Sequence, residues 1–177
     1  MQNYLYHLQP KDLSGTILKP LNQLRITNPD LYAAKVTMYK DREFLLERKI
    51  PLLDCLWNDV LHLSPIPPTT WKDTRVQAGM SDKPFTFYKI DPETLDKNQL
   101  AIYLFKELER FRKHVPDNEF ISYSSSELRK IVDISKPVQR YYKDMYQSNN
   151  KPKLFFGIPH ILYKGTIDIS QAETISV

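Results

Sequence analysis

The chain has 177 residues, 41% of them hydrophobic and 26% charged, enough to bury a core, and it reads as a single soluble globular domain over 1–177. Its net charge of +4 comes from interleaved acids and bases, as in Lys40-Asp-Arg-Glu43, so it lacks the basic stripe of a nucleic-acid binder. No apolar run approaches the ~20 residues of a membrane span, Met1-Gln-Asn-Tyr4 lacks the parts of a signal peptide, and one cysteine, Cys55, excludes an internal disulfide and a thiolate metal cluster.

The expectation is therefore a cytoplasmic chain with no membrane partner; export without a cleaved signal would leave the same sequence. Glycine occurs only at positions 15, 79, 157 and 165, which excludes a P-loop or a dinucleotide-binding glycine fingerprint.

In chain order, residues 3–8 alternate like a strand and bring His7 near its end. Pro10–Leu18 looks like a helix start, with Asp12 as cap and Leu13, Ile17 and Leu18 on one side, ended or kinked at Pro20. Asn28-Pro29-Asp30 is a second start: a cap, a proline at the first helical position and an acid that suits the helix dipole. Leu31, Tyr32, Lys35, Val36, Tyr39 and Glu43 follow one face and carry that helix to about Lys49. Ile50–Trp57 is apolar and fits either a buried segment or a loop beneath the next strand.

Asp59-Val-Leu-His-Leu-Ser64 alternates as a half-buried strand, with Leu61 and Leu63 on one face and Val60, His62 and Ser64 on the other, stopped by Pro65-Ile-Pro-Pro68. Thr69 or Thr70 caps a short helix through Gln77 that stops at Gly79. Phe85–Ile90, Ile102–Phe105 and Phe120–Tyr123 read as strands. Ser124–Ser126 cap a helix over Glu127–Val132, Pro137–Gln147 is helical, and Ile158–Lys164 and Thr166–Ile169 are closing strands split by Gly165. Helices gather in the N-terminal half and strands in the second, without βαβ alternation, which predicts an α+β fold with mostly antiparallel sheets; the lysine-rich segment 106–118 is a candidate mobile insertion.

The order of these pieces resembles the ADP-ribosyltransferase superfamily. Tyr6-His7-Leu8-Gln9 followed by Asp12-Leu-Ser-Gly-Thr-Ile-Leu18 is similar to the opening strand and helix of that superfamily. Val60-Leu-His-Leu-Ser64, Arg75-Val-Gln-Ala-Gly79 and Tyr88-Lys-Ile-Asp91 are similar to successive motifs of its RNA 2′-phosphotransferase branch, and Ile161–Ile175 to the closing strands. DNA-targeting ADP-ribosyltransferase toxins form another branch. The resemblance implies a split two-sheet core whose cleft binds NAD or an NAD-like ADP-ribose. It places His7, His62 and His160 at catalytic positions and Tyr6, His7, Gln9, His62, Ser64, Tyr88 and Tyr123 against the cofactor, the two later tyrosines stacking on a flat ring.

One departure bears on the chemistry. The glutamate that family transferases place just before the final strand is replaced by His160 in Pro159-His-Ile-Leu-Tyr163, and a neutral imidazole cannot oppose the positive charge of an oxocarbenium-like transition state. Glu119, Glu127 and Asp168 are the acids that could substitute.

Each candidate has a blander explanation. His7 and His62 can be satisfied strand histidines, His160 a bystander and His114 a solvent-facing loop residue. Ser124–Glu127 reads as a helix cap, Cys55 as a buried cysteine and Trp57 and Trp71 as core walls. No His pair has metal-ligand spacing, so no metal is expected. Asn58-Asp59, between Trp57 and Val60, either turns the chain or faces the cleft. The function expected is NAD or ADP-ribose binding, with transfer to a protein or nucleic-acid acceptor. The rival expectation is a non-catalytic accessory or immunity-type interaction protein; a nucleic-acid end-processing role is the third.

Overall fold

The structure, a computed structural model, describes residues 3–106 and 115–177. It is an α+β fold built around two antiparallel sheets. Strands β1 (Leu5–Leu8), β6 (Thr86–Ile90) and β11 (Glu173–Ser176) form one, in the order β1-β6-β11; β5 (Leu61–Leu63), β9 (His160–Tyr163), β7 (Leu100–Tyr103) and β8 (Phe120–Ser122) form the other, in the order β5-β9-β7-β8. Short pairs complete the strands: β2 (Ile17–Leu18) with β10 (Ile167–Asp168), and β3 (Lys49–Ile50) with β4 (Cys55–Leu56).

Strand alternation creates the layers. Leu5, Tyr88 and Ile90 from the first sheet meet Leu61, Leu63, Leu100, Ile102 and Ile161 from the second in a shared core. The outer face of the second sheet, with Ala101, Tyr103, Phe120 and Leu162, packs on Leu45, Ile50, Leu53 and Trp57. The outer face of the first, with Tyr6 and Phe87, is covered by Trp71 of α3 (Pro68–Gln77) and by Val138 and Tyr142 of α5 (Lys136–Gln147).

Most helical turns fall in the first half, though the longest helix, α5, lies in the second. Asn28 caps α2 (Pro29–Val36): its side chain accepts from Leu31 N at 3.1 Å. Ser124 caps α4 (Ser125–Arg129) in the same way, accepting from Glu127 N at 3.1 Å. Gly79 ends α3 with φ +95°, and Met80 N returns to Arg75 O, the bond pattern of a left-handed C-terminal cap.

Several expectations need correction. Pro10–Leu18 is not a helix: Gly15 takes φ +78°, and Ile17–Leu18 pair with Ile167–Asp168 so that Leu18 is buried. The helix of this region is α1 (Leu21–Thr27), which begins after Pro20. The helix from Pro29 stops at Val36, not near Lys49; 3₁₀ turns over Thr37–Tyr39 and Glu43–Glu47 follow, broken where Asp41 adopts φ +65°, and this turns Leu45 into the core. Helix α3 starts at Pro68 rather than after a threonine cap, because proline suits the first turn. Strand β11 extends the first sheet beyond the strands expected from the sequence. For residues 107–114, His114 included, the readings of a mobile insertion and of a solvent-facing histidine lie outside the described residues. No helix among the described residues is long and apolar enough to cross a membrane.

Candidate functional site

One backbone bridge brings the histidines together. Tyr6 N donates to Ser64 O at 2.9 Å and Ser64 N to Tyr6 O at 2.8 Å, tying β1 to the end of β5 across the two sheets. His7 and His62 flank this junction and line the same cavity of about 380 Å³, roofed by residues of α1 and α2 and the Thr37–Tyr39 turn. His62 also lines a second cavity of about 440 Å³, together with His160 from β9. The His62 and His160 rings lie 5.8 Å apart and the His62 ring is 4.4 Å from that of Trp57, so His62 stands in the partition between the cavities.

The polar groups of the first cavity are unequally satisfied. Asn58, only 1% exposed, accepts from the Tyr39 hydroxyl through Oδ1 at 2.8 Å, while its Nδ2 has no partner among the described residues. Burial pushes the Tyr39 phenol above its usual range, which keeps it a donor and fixes the Asn58 amide orientation. His7 Nδ1 is likewise buried with no partner in hydrogen-bond geometry among the described residues, the Leu8 backbone interacting with the ring only weakly. Buried polar atoms without protein partners are rare, and here two of them belong to residues that line one cavity.

Burial also holds the histidines neutral. It lowers His7 to about 4, against a smaller opposing pull from the Leu8 backbone. His62 is lowered to about 3, first by burial and then by its neighbour His160, which burial itself lowers to about 4. His62 Nε2 lies 3.0 Å from Trp57 O; a carbonyl only accepts, so Nε2 carries the proton and Nδ1 is left as an acceptor. Such imidazoles are hydrogen-bonding groups for a neutral polar ligand and weak bases near neutral pH.

None of the acids proposed to replace the absent glutamate lines either cavity. Glu119 is buried and accepts from Lys106 N, Glu127 pairs with Lys130 at 2.6 Å, and Asp168 faces solvent and accepts from Ser170 N. The sole acid among the described lining residues is Asp12, paired with Lys35 at 3.0 Å. Lys19 joins the Asp12-paired Lys35 at the first cavity, and Arg42, Arg48 and Lys153 line the second, so Lys19 and Lys153 bring positive charge to the two cavities.

Comparison with protein-family models, with curated proteins and with solved structures returned no match. His7, His62 and His160 converge, pairwise, on two adjoining cavities. Tyr6, Gln9, Ser64, Tyr88 and Tyr123 line neither of them. Tyr6 points into the helix-covered core, Gln9 Nε2 donates to the Tyr88 hydroxyl at 3.1 Å, Ser64 Oγ accepts from Ile66 N at 3.0 Å in the turn after β5, and Tyr123 packs beside the inter-sheet core.

Asn58-Asp59 does both things its sequence allows. Asn58 faces the cavity, and Asp59 turns the chain by accepting from Leu56 N at 2.7 Å. Trp57 is more than a core wall, since it lines the second cavity; Trp71 is core, donating to Leu154 O at 3.0 Å. Tyr39 carries no local sequence signal of its role, because its partner Asn58 is reached only through the fold. Cys55 is half-buried rather than buried, and that partial burial pushes its thiol up to about 11, so it is held protonated near neutral pH. Among the described residues no three of His, Cys, Asp and Glu gather to hold a metal ion.

Proposed function

We propose that the protein binds an ADP-ribose-type nucleotide, NAD included, with ribose hydroxyls against His7, Asn58 and His62. The observation that carries this reading is that two residues lining one cavity, His7 and Asn58, each hold a buried polar atom with no hydrogen-bond partner among the described residues, Nδ1 and Nδ2. A ribose presents vicinal hydroxyls that donate and accept at once, which matches a fixed amide donor beside neutral imidazoles. Lys19 at the cavity suits the attached phosphates. The resemblance of Tyr6-His7 and Val60–Ser64 to ADP-ribosyltransferase strands supports the same ligand class.

Transfer of ADP-ribose to a protein or nucleic-acid acceptor is the activity that resemblance implies, with His7, His62 and His160 at the reacting end. The only carboxylate among the described lining residues is ion-paired, and this favours a second reading: a non-transferring accessory or immunity-type protein that uses the bound nucleotide as a signal. Thermal denaturation with ADP-ribose and with NAD tests the binding. The expected result is a rise in Tm, which saturation at about 100 times Kd would set near 2.7 kcal/mol of added stability, and its loss in His7→Ala and Asn58→Ala. No rise at millimolar ligand, or an equal rise in the doubly substituted protein, overturns the proposal. Mass spectrometry of candidate acceptors then separates transfer from binding alone.

A further inference from the structure

The second cavity differs in chemistry from the first. Its walls are Trp57, Tyr103, Phe105, Phe156 and His160, drawn from three separate stretches of chain. The Phe105 ring lies 5.3 Å from that of Tyr103 and 5.1 Å from that of Phe156, and the His160 ring is 6.3 Å from Trp57. Around these faces stand Arg42, Arg48 and Lys153, with no acid among the described lining residues. Both guanidiniums lie over aromatic rings, Arg42 at 5.8 Å from the Tyr39 centroid and Arg48 at 5.3 Å from that of Trp57, which holds positive charge at the cavity edge. Arg42 also donates to Met38 O.

A third observation is backbone strain. Phe105 takes φ +51°, a left-handed conformation that a bulky aromatic residue rarely adopts, and the strained residue is itself a wall of the cavity. Its local preference is overridden to present a ring there.

We propose that this cavity is a separate site for a small planar ligand, an aromatic ring bearing an anionic group. The ring lies among Trp57, Phe105 and His160, and the phosphate or carboxylate lies toward the Lys153 ammonium. It stands apart from the ribose reading of the first cavity, because a ring with an anion and no sugar should suffice.

The probe is phenyl phosphate, with benzoate, phenol and inorganic phosphate as companions, titrated while the two indole N–H resonances are followed by NMR. Trp57 lines the cavity, whereas Trp71 is held in the core by its bond to Leu154 O, so Trp71 is the internal control for folding. Phenyl phosphate is expected to move the Trp57 resonance saturably and to bind about tenfold more tightly than phenol, the effect of one charge-assisted contact. Lys153→Gln should weaken phenyl phosphate and leave phenol unchanged. Comparable affinity for benzoate and phenyl phosphate assigns the site to anionic rings in general, and preference for phenyl phosphate assigns it to phosphates. An unmoved Trp57 resonance at millimolar probe, phenol binding as tightly as phenyl phosphate, or inorganic phosphate alone reproducing the whole effect overturns the proposal. Retention of phenyl phosphate binding in Asn58→Ala separates it from the first cavity.

Discussion

Replacing Tyr39 by phenylalanine removes one hydroxyl and leaves Asn58 Oδ1 buried without its donor. The expected loss is about 1–3 kcal/mol in urea denaturation, with an added loss of ADP-ribose affinity because the amide is no longer held in one orientation. The histidines set the acid limit at this same scale. His7, His62 and His160 titrate at about 4, 3 and 4 in the folded protein, below the ordinary 6.5 that the unfolded chain retains. Between those values the unfolded chain holds more protons than the native one. Their contribution is therefore fully present above about 6.5 and declines as pH falls toward 3, so stability should rise with pH across that window. Urea midpoints measured from pH 4 to 7 should climb, and His62→Gln should flatten the climb if the fold accepts it.

At the scale of elements, the roof of the first cavity is the loosest part. Neither α1 nor α2 has a buried residue, yet Leu21, Leu24, Leu31 and Lys35 from them line the cavity. Hydrogen exchange should be fastest there among the described helices and should slow on adding ADP-ribose, while β7 and β9 are unchanged; Asn28→Ala should accelerate it further at a cost of about 1 kcal/mol. What the sequence announced about elements follows the range of the forces involved. The Asn28-Pro29-Asp30 start and the alternation of Val60–Ser64 are local signals, and both appear in the fold. Leu13, Ile17 and Leu18 share helical spacing, but Gly15 and the pairing of β2 with β10, about 150 residues away, decide that region. The meeting of His7 and His62 depended on strand alternation and could be anticipated. The Tyr39–Asn58 bond and the aromatic second cavity arise from tertiary contacts alone.

For the whole molecule, the decisive strand is β9, which is central in its sheet and buried on both faces. Ile161 belongs to the core between the sheets and Leu162 to the core on the far side, both with no exposed surface. Truncating either to alanine leaves a cavity on a different side of the same sheet, with an expected loss of about 2–5 kcal/mol each. If the two cores unfold together, both variants shift one shared thermal transition; separate transitions would show that the layers are independent cooperative units.

The raised Cys55 thiol has a practical consequence. It stays protonated near neutral pH, and protonated thiols react slowly with maleimides and other electrophiles. The native cysteine can therefore remain in place during site-directed labelling. Ile26 on α1 is 85% exposed, so Ile26→Cys would take a fluorophore selectively and place a reporter on the helix that covers the first cavity.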